Sequence, residues 1–404
     1  MKIARLLLLA TILSYAFGIF GSFTFGSGVR LYWGDFFAAV LVGWGLLYFL
    51  GLKKKFTFPQ PCSWWGMLFS GVALLSLILG FRQVNQSEWL IGSLYFLRWA
   101  LYFAVFLVAS NLFREGLSRF SLTRWLVAAT FLYALFGFVQ LLVLPDFTVL
   151  DPELGWDPHQ NRLASTFFDP NFSAALLGLG LFLSLSQLMT GVLKGWRKTR
   201  ILVVSGVLAG AILLTFSRSG WAMVAIGCLV FGFLKSKKIL VAGLVLMILA
   251  YFLVPRVQTR ISGLTDPTDS AHLRIQTYQR GLTIVRNNIF LGVGFNLYRQ
   301  AQEREGFFTF DDPTGGHSGA GADSSLLLVL ATTGVVGLFF YLGLLGSLLH
   351  QAWRSWRDRS DILSLSFLAI TGGLVISSFF VNTLFFPAIL VYWWLLAAAT
   401  YEAS

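Results

Sequence analysis

Residues 201–234 read ILVVSGVLAGAILLTFSRSGWAMVAIGCLVFGFL. Two apolar runs, 201–216 and 220–234, flank a brief turn whose one ionisable group is Arg218. A bilayer crossing needs about 20 mostly apolar residues, so each run is near the minimum length for a span. Basic clusters close both outer ends: Lys194, Arg197, Lys198 and Arg200 before, and Lys235, Lys237 and Lys238 after. Such a hairpin, basic on one side and nearly uncharged on the other, is the pattern of paired membrane helices.

The same pattern extends along the chain. Apolar runs occur at 5–21, 36–51, 63–81, 90–112, 125–144, 171–190, 201–216, 220–234, 239–254, 324–349, 362–381 and 384–400. Hydrophobic residues make up 56% of the 404 positions and charged ones only 12%, about half the roughly 25% usual for soluble domains. Mean hydropathy is +0.74, which excludes a water-soluble enzyme. The expected fold is an all-α integral membrane protein of about twelve transmembrane helices, with a large, partly helical external loop between helices 9 and 10. It reads as one membrane domain made of helices at 1–254, an external segment at 255–323 and helices at 324–404.

Net charge is +12. In a soluble chain that excess would suggest nucleic acid, but its distribution argues otherwise. Eighteen Lys and Arg fall before the first run and in alternate loops, against four acids, Glu115, Asp358, Asp361 and Glu402. Lys and Arg near span ends are retained in the cytoplasm, so this side carries +14 and the rest of the chain −2. Both termini are expected to be cytoplasmic, with no nucleic-acid partner. The first run, Leu6 to Phe20, is expected to be an uncleaved anchor, since no small-residue cleavage site follows it. Cys62 and Cys228 lie at unlike depths and imply no disulfide or metal site; no metal and no cofactor is expected.

The twelve remaining cations are all arginine. Two longer connections, about 145–170 and 255–323, fall on the external side, where long loops tend to carry function. Cytoplasmic ATP is out of reach there, and Gly315-Gly-His-Ser-Gly-Ala-Gly321 lacks the Lys-Ser/Thr of a phosphate-binding loop. Gly292-Val-Gly294 reads as a turn after a helix. Arg218 has no acid within forty residues on either side, and its fork suits phosphate oxygens as Lys does not. Tyr278, Leu282, Val285 and Ile289 share one face of an amphipathic helix that should lie against the bundle or the membrane, with Arg274 at its edge. Arg280 projects elsewhere on that helix. Arg98, about two turns inside the fourth run, is a further candidate, with snorkelling to the interface an equal alternative. Asp323 and Asp169 each precede an apolar run, where capping is the common role. His317 lies in a glycine-rich stretch and has the chemistry of a base. Together the arginines suggest an anion of fixed geometry such as a pyrophosphate.

At these positions the chain resembles the O-antigen ligase/polymerase superfamily of GT-C-type bacterial membrane enzymes. Four motifs carry the resemblance: Arg162-Leu-Ala-Ser-Thr-Phe-Phe-Asp-Pro-Asn171, Phe216-Ser-Arg-Ser-Gly-Trp221, Arg274-x3-Tyr278 leading to Phe290-Leu-Gly-Val-Gly294, and Asp323-Ser-Ser-Leu-Leu-Leu-Val-Leu-Ala-Thr-Thr-Gly334. The resemblance implies inverting, metal-independent transfer of a glycan from an undecaprenyl-pyrophosphate donor to an acceptor hydroxyl, on a growing glycan or a lipid A core. Arg218 and Arg274 would bind the pyrophosphate and stabilise it as leaving group. Arg162, Arg98 and Arg280 are further pyrophosphate candidates, and Asp169 and Asn171 further motif residues. Family ligases commonly have His-Asn where this chain has Asp323-Ser324, which leaves Asp323 or His317 as the base and leans toward polymerase-like members. A lipid-linked glycan flippase or transporter is the competing class. Few ionisable residues fall mid-span and no internal repeat is visible, which weighs against it.

Overall fold

The computed structural model describes residues 1–25, 29–150, 159–263, 270–308 and 321–401. Fifteen α-helices occur among them. In chain order they are α1 (Lys2–Ala16), α2 (Trp33–Gly51), α3 (Cys62–Gly80), α4 (Gln86–Arg114), α5 (Arg119–Val143), α6 (Pro170–Met189), α7 (Gly195–Leu214) and α8 (Arg218–Leu234). There follow α9 (Lys237–Leu253), α10 (Pro255–Ser262), α11 (Ser270–Asn287), α12 (Tyr298–Arg304), α13 (Ser325–Arg359), α14 (Ile362–Ser377) and α15 (Pro387–Tyr401).

Each of the twelve apolar runs falls on one of these helices. Six helices are long and apolar enough to cross a membrane: α2, α3 with the turn after it, α4, α5, α6 and α13. The helices α9 and α10 pass the same test as a pair but are bent by 98°. Helices α8, α14 and α15 are apolar but shorter. One element departs from the all-α expectation. Residues 22–32 form an antiparallel hairpin of β1 (Ser22–Phe25) and β2 (Val29–Tyr32), pairing Ser22 with Tyr32 and Phe23 with Leu31.

Helix starts follow local sequence. Asn85 and Glu88 form a reciprocal capping box on α4, and Asp361 accepts from Ser364 N at 3.1 Å to start α14. Helix α15 is apolar all round, and every residue from Ala388 to Thr400 is buried. It is the central helix of the bundle, as a helix without a polar face must be. Trp393 stacks on Phe367, and Trp394 packs edge-on or tilted against Trp99, Phe103 and Phe106. At the periphery α9 buries only Ala250, and Leu244, Leu246, Phe252 and Leu253 are exposed. Apolar exposure on that scale fits hydrocarbon rather than water.

Helix α13 is two helices joined across Gly334, at φ 67° and ψ −172°. The segment after α11 fills the break. Val293 N donates to Ala331 O at 3.0 Å and Gly294 N to Thr332 O at 3.1 Å, while Val335 N donates to Ile289 O at 2.8 Å. Ser76 Oγ on α3 seals the joint, donating to Leu291 O and Thr332 O, both at 2.6 Å. The broken backbone is thus satisfied inside the bundle, as an apolar surround requires. A side chain at Gly334 would place Cβ 2.1 Å from Phe290 O, and one at Gly292 2.3 Å from the Thr332 carbonyl carbon. Both residues have positive φ, so glycine is needed on two counts.

Candidate functional site

The first two motifs form one structure. Leu163 N donates to Leu214 O at 2.9 Å, Arg162 Nε to Thr215 O at 2.8 Å, and Arg162 Nη2 to Phe216 O at 3.4 Å. Asp169 caps α6, its Oδ1 accepting from Asn171 N at 2.6 Å and Phe172 N at 3.0 Å, with Pro170 in the first turn. Asn171 Oδ1 in turn accepts from Ser217 Oγ at 2.8 Å. Ser217 caps α8, so Arg218 is the first residue of that helix. The turn is conformationally costly: Phe216 sits at φ 48°, with Ser165 at 51° and Phe168 at 56° on the facing segment. Bulky residues at positive φ persist only where surroundings enforce them, and such strain gathers at functional sites.

A third element, α10, closes over this turn. Arg256 stacks on the Phe216 ring at 4.6 Å and donates to Asn161 O at 2.6 Å. Arg260 Nε donates to Phe216 O at 3.3 Å, and Arg260 O accepts from Arg218 Nη1 at 3.3 Å. Burial and the guanidinium of Arg260 hold the Arg162 pKa below its ordinary range. The nearby Asp169 carboxylate opposes that shift, and Arg256 and Arg274 add to it. Five arginines therefore surround one strained turn. Arg256 and Arg260 were not singled out from the sequence; their legible signal was Arg-x3-Arg directly after Pro255, one helical face behind a helix-starting proline.

Helix α11 brings the third motif to the same place. Arg218, Trp221, Ala222, Ala225, Met247, Ile261, Arg274, Ile275, Tyr278 and Phe380 line one cleft of about 550 Å³. Two guanidiniums 56 positions apart thus share an apolar cleft, beside a Trp221 indole N–H that is buried without a hydrogen bond. Tyr278 donates its hydroxyl to Phe379 O. The helix buries Thr277, Gly281 and Ile284 against the bundle, one position away from the expected Tyr278 face; Leu282 and Ile289 are exposed. That shift turns Arg274 and Tyr278 toward the cleft.

Asp323 lies outside α13 because Ser324 is the cap, accepting from Leu327 N at 3.3 Å. Its carboxylate accepts from Thr277 Oγ1 at 3.4 Å. Its charge helps hold the Tyr278 and Tyr298 hydroxyls above their usual range, after burial as the main cause. The Asp323 carboxylate therefore borders the same turn of α11 that carries Arg274. His317 lies outside the described residues.

Two arginine candidates go elsewhere. Arg98 pairs with Asp35 at 2.9 Å, both side chains 11% exposed, and also donates to Arg30 O. Asp35 further accepts from the hydroxyls of Tyr102 and Tyr15. Arg98 lines a second cavity of about 250 Å³ walled by Tyr32, Tyr95, Trp99, Phe295, Phe385 and Phe386, with Asn382 among its polar groups. Arg280 stacks on Phe307 at 5.8 Å and does not line the Arg218 cleft.

A search of curated proteins finds no match to this chain. The O-antigen ligase family model matches residues 201–342, a segment that holds Arg218, Arg274, Asp323 and the break in α13. Through that segment, about a third of its length, the chain is similar to the O-antigen ligase family.

Proposed function

We propose that the protein is a membrane glycosyltransferase that moves a glycan from undecaprenyl pyrophosphate to an acceptor hydroxyl at the outer face of the bacterial inner membrane. The observation that carries this reading is the shared cleft of Arg218 and Arg274, two guanidiniums in a lining that is otherwise largely apolar through Trp221, Ala225 and Met247. A pyrophosphate with an attached polyprenyl chain has that same division. The acceptor oxygen attacks the anomeric carbon from the face opposite the leaving group. The carbon–oxygen bond to the pyrophosphate then breaks, configuration inverts, and undecaprenyl pyrophosphate departs with its charge held by the two guanidiniums. The acceptor proton goes to Asp323, or to His317 as the other base of this reading. Arg162, Arg256 and Arg260 act behind them by holding the Phe216 turn. No step requires a metal or cofactor.

The aromatic cavity around Trp99 is assigned to the acceptor sugar. The 379–386 connection contributes Phe380 to the cleft and Asn382, Phe385 and Phe386 to this cavity, so the two substrates would meet across it. A volume of 250 Å³ lies just below the roughly 300–1,000 Å³ of drug-sized sites and suits a single sugar ring.

The test is elongation or transfer in proteoliposomes supplied with purified lipid-linked repeat units. Wild-type protein is expected to form new glycosidic bonds, and Arg218→Ala and Arg274→Ala proteins are expected to lose this activity. Movement of lipid-linked glycan across the bilayer with no bond formed would instead establish a flippase.

A further inference from the structure

The aromatic cavity around Trp99 holds two side chains whose chemistry the fold does not use. Asn296 and Asn382 come from distant parts of the chain, and both line it, each half-buried. Among the described residues neither amide makes a hydrogen bond, nor does the hydroxyl of Tyr95 in the same wall. Asn382 Oδ1 is shut away from solvent, so the amide nitrogen is its open atom. Both amide atoms of Asn296 and the Tyr95 oxygen are open. Charge is not what the cavity offers: Arg98 is bridged to Asp35 at 2.9 Å, and Arg30 is also engaged. The groups left to a ligand are neutral donors and acceptors among aromatic rings, and a few such groups in an apolar pocket are what orient a ligand.

The backbone holds both asparagines in place. Asn296 sits at φ 58°, a left-handed position that asparagine tolerates better than most residues, between the buried Phe295 and Leu297. Asn382 belongs to a connection tied to the start of α13, where Ser325 N donates to Ser378 O at 2.9 Å and Leu384 N to Ser325 Oγ at 3.1 Å. Ser325 is two residues past Asp323, and Leu328 of the same helix lines the cavity. We infer that Asn296 and Asn382 are specificity-determining residues for a sugar. Their amides hydrogen-bond hydroxyls on the rim of one ring, the Tyr95 hydroxyl takes a third, and the C–H face of the ring lies on Phe385 or Phe386. That this ring belongs to the acceptor rests on the transferase reading; that a ring is recognised does not.

The probe is the repeat-unit oligosaccharide freed from its lipid by mild acid, with analogues in which single hydroxyls of its terminal non-reducing sugar are replaced by hydrogen. Binding to the purified full chain in detergent is followed by saturation-transfer NMR. Acceptor and donor KM are measured in proteoliposomes with intact lipid-linked repeat units as donor. Asn296→Gly keeps the positive φ and Asn382→Ala removes an amide that bonds nothing in the protein, so both variants are expected to melt with wild type. Each is expected to weaken oligosaccharide binding and raise acceptor KM about fivefold, as loss of one neutral hydrogen bond implies, with donor KM unchanged. For each asparagine one deoxy analogue should bind about fivefold more weakly to wild type and lose nothing further against the matching variant. Unchanged oligosaccharide binding in both variants would overturn the inference, as would a deoxy penalty that is the same in variant and wild type. A raised donor KM with acceptor KM unchanged would overturn it too, by handing the cavity to the donor. Asparagine-dependent binding by a protein that forms no glycosidic bond would uphold the sugar site and sink the transferase reading instead.

Discussion

Phe216 is held at positive φ by three separate grips: its carbonyl accepts from Arg162 and Arg260, and its ring lies under Arg256. The next but one residue is Arg218, so these grips set where its guanidinium begins. Because an ammonium cannot reproduce the guanidinium fork, Arg218→Lys is expected to reduce transfer roughly 10²-fold, with protein yield and melting temperature unchanged. Rates of glycan transfer in proteoliposomes measure this. Arg98 should behave in the opposite way. Removing it strands Asp35 among Tyr15 and Tyr102, so Arg98→Leu is expected to destabilise the protein by about 3–5 kcal/mol without altering donor KM in whatever folded fraction remains. Thermal unfolding and donor titration separate the two effects. Residue type set these arginines apart, since no lysine follows Lys238. It did not announce which arginines converge. Arg98 and Arg218 look alike as isolated cations in apolar sequence, and Asp35, the partner that distinguishes one of them, lies 63 positions away.

At the scale of elements, the apolar runs were legible because a span must bury or expose twenty apolar residues wherever it packs. The α13 break was not. Leu326 to Val336 is a continuous apolar stretch apart from Thr332, Thr333 and Gly334, and nothing local distinguishes Gly334 from other helical glycines. What decides it is the 289–294 segment, which supplies carbonyls to Val335 and Val336 and takes those of Ala331 and Thr332. The hairpin of β1 and β2 and the short helix α10 escaped for a related reason: each is too short for its periodicity to rise above its surroundings. Gly334→Ala puts a Cβ against Phe290 O in a left-handed backbone, and should cost roughly 2–4 kcal/mol. Gly346→Ala, on the same helix with open space around it, should be neutral. Comparing the two by thermal unfolding in detergent tests whether the inserted segment, rather than helix propensity, sets the effect.

The whole molecule is ordered about its charge asymmetry. Its basic loops gather at one end, where Arg119 and Asp361 tie α5 to α14 and Lys54 pairs with Glu115. The arginine cleft is built from the opposite connections. If the basic end is cytoplasmic, a fluorescent protein fused after Tyr401 should fold and fluoresce, and a periplasm-dependent phosphatase inserted after Asp146 should be active. The reverse pattern would invert the orientation and place the cleft on the side that holds nucleotide-activated sugars.

The segment lodged in α13 also acts as a ruler. One end of the 289–294 stretch is pinned by backbone bonds on both sides of Gly334, and the other end continues directly from the helix that carries Arg274 and Tyr278. Helix α11 can therefore neither slide nor rotate independently of the bundle. Inserting one residue between Tyr278 and Gly292 would turn Arg274, together with Thr277 and Tyr278, by about 100° about the helix axis while the 289–294 stretch stayed in register. Over evolutionary time the length of that interval should be far less variable than its side chains.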